Sequence, residues 1–339
     1  MRFPLSLTLT MASYILKNKL TGRKRFPLVL MLEPLHACNL TCTGCGRIRE
    51  YSSTIKDKLT VAECLAAVDE AGTPVVSICG GEPMIYPQIG DLTRRILNRR
   101  KFIYLCTNGM FTKKRLHEFR PNARFYFNVH LDGLEETHDR AVERQGVFRA
   151  AVDGIIAAKK AGFQVCTNTT VYRDTDLAEL DRLYAYLTKL RVDAFMLSPA
   201  YGYSAVCETN PTGAAEIFLT RDQIIEKFRE AERMLGKYRL ATSPVYLEFL
   251  RGERDLPCTA WGNPTRNVKG WKGPCYLITD GHHDSFDDLI EKTDWARYGR
   301  GKDPRCEHCM VHCGYEASAA TGVNARWDDP LKMLRWQLS

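Results

Sequence analysis

LVLMLEPLHACNLTCTGC, residues 28–45, decides the reading of this chain. It opens on LVLML, a continuous apolar run of strand length. Its second half sets Cys38, Cys42 and Cys45 in a C-x3-C-x2-C spacing directly after that strand. Three thiolates on one short loop hold three irons of a [4Fe–4S] cube. Such cubes usually take four cysteines, so the fourth iron is left open for a substrate or cofactor. The same thiols with His36 as fourth ligand would make a tetrahedral zinc site, the weaker reading of this spacing.

Outward from this loop the chain alternates strands and helices. LTVAECLAAVDEAG, from Leu59, reads as a helix with a Thr60–Glu63 capping box and Gly72 as its stop. PVVSICGG, FIYLCTN, FYFNVHLDG, FQVCTNTTV and AFMLSPAY are five further strand-like runs, and helices separate most of them. This rhythm predicts an α/β fold, a partial (β/α)6 barrel with parallel strands, followed by a Cys-rich C-terminal extension. The expected boundaries are an N-terminal basic or amphipathic segment at 1–26, the barrel at 27–210, a helical connection at 211–257, the extension at 258–320 and a tail at 321–339. The chemistry-bearing residues fall at the C-terminal strand ends, where parallel sheets place their sites. Gly80, Gly81, Glu82 and Pro83 end the second strand, Asn108 the third and Asp132 the fourth.

The extension carries Cys258, Gly270 and Cys275, then Cys306, Cys309 and Cys313. That density predicts metal binding, with a second [4Fe–4S] cluster as first choice and structural zinc as second. His308 and His312 read as bystanders on a polar loop.

The thirteen cysteines are an odd number in a chain of 339 residues, and their spacings are those of metal ligands. The expectation is a reducing cytoplasm rather than a disulfide framework. The N-terminus imitates a secretory signal through Leu5, Leu7 and Leu9, but Thr8 and Thr10 interrupt the apolar run. Residues 11–20 predict a short amphipathic helix followed by Arg23, Lys24 and Arg25. It is either a surface helix capping the barrel or a peripheral membrane contact. The net charge of +8 favours anionic partners without choosing among them. No run approaches the roughly 18 apolar residues of a membrane span. No RNA-binding module is recognisable, which argues against nucleic acid as a partner.

The three-cysteine loop and the Gly80–Pro83 turn together resemble the radical S-adenosylmethionine (SAM) superfamily. The resemblance implies SAM chelated to the open iron and cleaved to methionine and a 5′-deoxyadenosyl radical. It also implies Gly80, Gly81, Glu82 and Pro83 at the methionine amino end. Many members carry an aromatic residue before the third cysteine; here it is Gly44. GRKRFPLVLMLEP, YLCTN, HLDG, TNTT, SPAYGY and the block from CTAW at Cys258 to CGYE at Glu316 resemble one family in particular. It is the adenosyl-hopene transferases of hopanoid biosynthesis, and the similarity runs from about residue 22 to residue 320.

That resemblance implies addition of the radical to the alkene of hopene, an apolar polycyclic triterpene, and quenching of the product radical by a thiol. It implies an electron donor such as flavodoxin or ferredoxin. Cys106 in YLCTN is the expected donor, with Cys79 and Cys166 as rivals and Cys64 and Cys207 as structural. A free strand cysteine without this resemblance would read as a core residue. Asn108, His130, Asp132 and Asn168 are expected around SAM; His130 and Asp132 alone would read as a core hydrogen bond and a turn. Tyr201 and Tyr203 line an apolar channel or pack the barrel mouth. The chain departs from the family pattern at Cys79, before the glycines, and at SAVCETNPTGAAE after Tyr203. The main alternative is a radical SAM enzyme acting on a peptide or another lipid alkene, and a non-enzymatic zinc protein is the least favoured.

Overall fold

The computed structural model describes residues 4–209 and 214–338. Part of the departing segment after Tyr203, residues 210–213, lies outside them. The six expected strands are present: β1 (Val29–Leu32), β2 (Val75–Ile78), β3 (Phe102–Thr107), β4 (Phe125–His130), β5 (Gln164–Val171) and β6 (Ala194–Pro199). Each pairs in parallel with the next, in the order β6-β5-β4-β3-β2-β1. This is the partial barrel that the alternation predicts.

The helices follow from local chemistry. α1 (Leu5–Leu20) begins earlier and runs longer than its expected span. α2 (Val61–Ala71) has the capping box in place: Thr60 accepts from the Glu63 backbone and Glu63 reaches back to the Thr60 N–H. It stops at Gly72, whose φ of +64° is left-handed. α3 (Ile89–Asn98), α4 (Val147–Lys160) and α5 (Leu177–Lys189) are the other crossover helices. Alternate strand residues such as Leu30, Val76, Leu105, Phe127 and Val165 join one buried core with the helices. On β3 this leaves Tyr104, Cys106 and Asn108 on the opposite, inner face. The floor of that interior is closed by Tyr104 stacked on Tyr126, with centroids 4.9 Å apart, beside Cys166 and Ala194.

Beyond the barrel come α6 (Arg221–Glu230) and α7 (Pro244–Leu250). The cysteine-rich extension is more regular than its composition announces. It adds three strands to the same sheet: β7 (Thr265–Asn267), parallel to β1, then the antiparallel β8 (Gly270–Pro274) and β9 (Thr279–His283). Trp271 anchors this hairpin: fully buried, it donates from Nε1 to Glu70 of α2 at 3.0 Å. Two helices, α8 (His312–Thr321) and α9 (Asp329–Leu338), complete the chain. No helix among the described residues is long and apolar enough to cross a membrane.

Candidate active site and a cysteine-lined cavity

The three-cysteine loop leaves β1 and is gripped from three sides. Arg49 donates to the carbonyls of Cys42 and Cys45 at 3.2 and 2.6 Å. Thr43 N–H donates to Ala141 O at 3.0 Å. The Gly80–Pro83 turn presses against the loop backbone: Gly81 N–H donates to Leu35 O at 3.2 Å and Glu82 N–H to Ala37 O at 2.9 Å. A Cβ on Gly81 would fall 2.0 Å from Ala37 O. The close approach these glycines permit is thus to the cysteine loop itself, and it fixes the loop against the second strand. Gly44 has a comparable reason. A Cβ there would meet Tyr172 Oη at 2.5 Å, so a tyrosine from the end of β5 fills the space beside the loop.

His36 is committed elsewhere. Its ring stacks on Tyr51 at 4.0 Å, Nδ1 shares a 3.0 Å hydrogen bond with Thr54, and Nε2 lies 3.8 Å from Glu33. Among the described residues no three His, Cys, Asp or Glu side chains converge on a single metal-ion point.

Glu82 braces the site from within. Its carboxylate accepts from Met84 N at 2.8 Å, Thr107 Oγ1 at 2.7 Å and Asn108 N at 2.8 Å. Burial lifts it to about 7, against the pull of these donors. Asn108 in turn donates to Asn39 of the three-cysteine loop at 2.9 Å. His130 Nε2 meets Asp132 Oδ2 at 2.8 Å, and Asp132 Oδ1 accepts from Thr170 N at 2.8 Å. Burial opposes both charges, but each raises the case for the other: His130 sits above its ordinary value and Asp132 below. Asn168 stands opposite His130 in the β4–β5 register. Asn108, His130 and Asn168 therefore share the inner face near the strand ends, with Asp132 just past β4.

Deeper on that face, Cys106 Sγ lies 3.3 Å from Ser77 Oγ and 3.6 Å from Asn128 Nδ2. Burial pushes the thiol above its ordinary value, so it carries its hydrogen at neutral pH. Cys106 keeps partial exposure, whereas Cys79 is 6 % and Cys166 2 % exposed. Cys64 is buried in the α2 core, and Cys207 packs beside Gly202 and Phe218.

The five C-terminal cysteines are brought together: Cys258, Cys275, Cys306, Cys309 and Cys313 line one cavity with Tyr201 and Tyr276. Neither His308 nor His312 lines it. Ile278 N–H donates to Cys275 Sγ at 3.3 Å. Tyr201 and Tyr203 meet edge to face at 5.3 Å. Tyr203 packs against Gly46 of the three-cysteine loop, so the two tyrosines span from one cysteine group to the other.

Sequence reading missed the buried charges between these groups. Arg47 is 3 % exposed, ion-paired to Glu33, and its Cζ lies over the Tyr276 ring, 4.0 Å from the centroid. Lys272 is fully buried and donates to Tyr276 O at 2.9 Å, with Glu50 3.4 Å away. A glutamate ending the otherwise apolar run LVLMLE was the available signal for Glu33; nothing local announced Lys272.

The comparisons with known proteins agree with this geometry. Residues 32–187 match the model of the radical SAM superfamily, and residues 195–333 match a domain of unknown function (DUF3463). An AdoMet-dependent heme synthase of Oleidesulfovibrio alaskensis is 25 % identical, covering 83 % of this chain and 80 % of that protein. One of Methanosarcina barkeri is 29 % identical over 75 % of each. A GTP 3′,8-cyclase of Thermodesulfovibrio yellowstonii is 26 % identical over 61 % of this chain and 64 % of that one. In fold, Streptococcus suis SuiB bound to S-adenosylmethionine superposes with a TM-score of 0.62 at 16 % identity, over 89 % of this chain and 73 % of that one. Native anSMEcpe with bound AdoMet gives 0.57 at 15 %, over 92 % and 100 %. A three-cysteine loop after the first strand, a glycine turn locked against it and a matching barrel converge on one conclusion: residues 32–187 are a radical SAM domain.

Proposed function

We propose that this chain is a radical SAM adenosyltransferase that acts on the alkene of hopene (diploptene) to give adenosylhopane. The observation that carries the reading is the Cys106 thiol on the inner barrel face, in contact with Ser77 and Asn128. The sequence blocks between residues 22 and 320 support the substrate.

Cys38, Cys42 and Cys45 would hold the [4Fe–4S] cluster that binds SAM. With the Glu82 carboxylate engaged by three protein donors, the carbonyls of the Gly80–Pro83 turn are the acceptors left for the methionine ammonium. Asn108, the His130–Asp132 pair and Asn168 would bind its ribose and carboxylate. When bound, the cluster and SAM supply a 5′-deoxyadenosyl radical, which would join the terminal alkene carbon and leave a tertiary carbon radical. Cys106 would give that carbon its S–H hydrogen. The resulting thiyl needs one electron and one proton, for which a flavodoxin or ferredoxin is the proposed source. Cys258, Cys275, Cys306, Cys309 and Cys313 would hold a second [4Fe–4S] cluster; the cavity that all five line supports this reading.

The relatives favour a second reading, a radical SAM enzyme that uses its C-terminal extension to modify a peptide or another lipid alkene. The curated relatives above are named for heme and GTP chemistry, and SuiB has been solved with its precursor peptide. Anaerobic incubation of reconstituted enzyme with SAM, reductant and hopene, read by mass spectrometry, separates the two. Hopene plus adenosyl plus one hydrogen supports the transferase, and Cys106→Ala should then abolish that saturated product. Free 5′-deoxyadenosine with no adduct rejects hopene and leaves the second reading.

A further inference from the structure

α1 carries two apolar faces. One is docked: Leu7 packs with Val75 and Phe102 at the floor of the barrel, and Met11, Tyr14 and Ile15 pack on Phe26, Leu28 and Ala317. The other is a stripe of leucines in water. Leu5, Leu9, Leu16 and Leu20 are 52, 59, 58 and 78 % exposed, and Ala12 lies between them. The spacing keeps them on one side of a helix about 24 Å long. Four exposed leucines in a row are not the scattered apolar residues every surface has.

The charge around this stripe is one-sided. Lys17, Lys19, Arg23, Lys24 and Arg25 are exposed, and the first acidic residue of the whole chain is Glu33. The C-terminal helix repeats the leucines though not the charge: Leu331, Leu334 and Leu338 are exposed on α9, after a Trp327 that is 93 % exposed. The end of α1 reaches the turn after α8, since a Cβ on Gly322 would lie 3.7 Å from Lys19 Nζ.

We propose that the leucine stripe of α1, with its basic flank, docks on the surface of an anionic lipid bilayer. The leucines sit at the headgroup–acyl boundary and the lysines and arginines meet the headgroups. A second copy of the chain is the poorer occupant, because it would bring the same positive charge and no acid in this segment. The docking does not depend on the substrate, and its test uses none.

The test is cosedimentation of the full chain with vesicles of phosphatidylcholine alone or with added phosphatidylglycerol. Binding is expected to the anionic vesicles, to weaken as salt is raised, and to fall roughly tenfold or more in Leu9→Glu/Leu16→Glu. Arg23→Gln/Lys24→Gln/Arg25→Gln leaves the leucines in place and should weaken binding about fivefold per charge. Both variants lie at exposed positions, and unchanged thermal melts establish that they fold. The proposal is overturned if the wild type stays in the supernatant, if neutral and anionic vesicles bind it alike, or if the leucine variant binds unchanged. Light scattering that shows a dimer dissolved by the leucine variant would assign the stripe to a second copy instead.

Discussion

Arg47 Nε lies 3.1 Å from Glu33 Oε1, and both side chains are shut off from water. The same guanidinium donates to Tyr276 O at 2.5 Å, so one residue ties the three-cysteine loop to the first strand and to the hairpin loop after Cys275. Removing one member of such a pair strands the other charge in the interior. Arg47→Met should cost about 3–5 kcal/mol in denaturant unfolding, and Glu33→Gln/Arg47→Met should recover part of it. Equal loss in single and double variants would mean that packing over Tyr276, and not the charge, is what Arg47 contributes.

Gly81 is where a single methyl group should disturb the metal site without touching a cysteine. Gly81→Ala places Cβ against the Ala37 and His36 carbonyls, at 2.0 and 2.4 Å, and backbone cannot swing aside as a side chain can. Overpacking of this kind costs about 1–3 kcal/mol. Iron bound after anaerobic reconstitution should drop, with far-ultraviolet circular dichroism unchanged. Full iron loading would show that the turn and the cysteine loop are not mechanically coupled.

The two cysteine groups can be separated by substitution. Cys38→Ala/Cys42→Ala/Cys45→Ala leaves the five-cysteine cavity intact. It should retain about four irons and four sulfides per chain, with the broad visible absorbance of a cube. A colourless protein carrying one zinc would instead make the cavity a structural zinc site.

His138 predicts an acid limb in the stability curve. It is fully buried on the inner side of a short helix, and its Nδ1 accepts from the Asp132 backbone at 3.3 Å. Burial lowers it from the usual 6.5 to about 4. Between those values the unfolded chain takes up a proton that the folded chain refuses. The stability is therefore complete above about pH 6.5 and is lost as pH falls towards 4, by about 3 kcal/mol at most. His138→Gln keeps an acceptor for Asp132 and removes the titration, so its melting temperature should fall less between pH 7 and pH 4.5. Parallel wild-type and variant curves would refute the assignment.

Much of this site was legible in the sequence because it is local. C-x3-C-x2-C, the Gly80–Pro83 turn and the Thr60–Glu63 capping box each act within a few residues. The strand rhythm then puts Asn108, His130 and Asn168 at the same end of adjacent strands, since alternate residues of parallel neighbours must share a face. The extension was harder. Its Cys, Gly, Trp and Pro content hid three short strands, because β7 to β9 are held by pairing to β1 and by Trp271 on Glu70 rather than by their own periodicity.

The sequence by itself determined the parallel barrel and the three-cysteine loop at its first strand, because spacing along one loop and period along one strand do not depend on distant partners. Tertiary structure alone decided that five cysteines spread from residue 258 to residue 313 face one cavity. It also decided that Tyr172 fills the gap beside Gly44, that Arg47 and Lys272 converge on one carbonyl, and that four of the five leucines of α1 are left in water. Each of these is a contact between segments far apart in the chain. Which groups meet there is set by how the sheet closes on its neighbours, a global packing solution that no short window of residues contains.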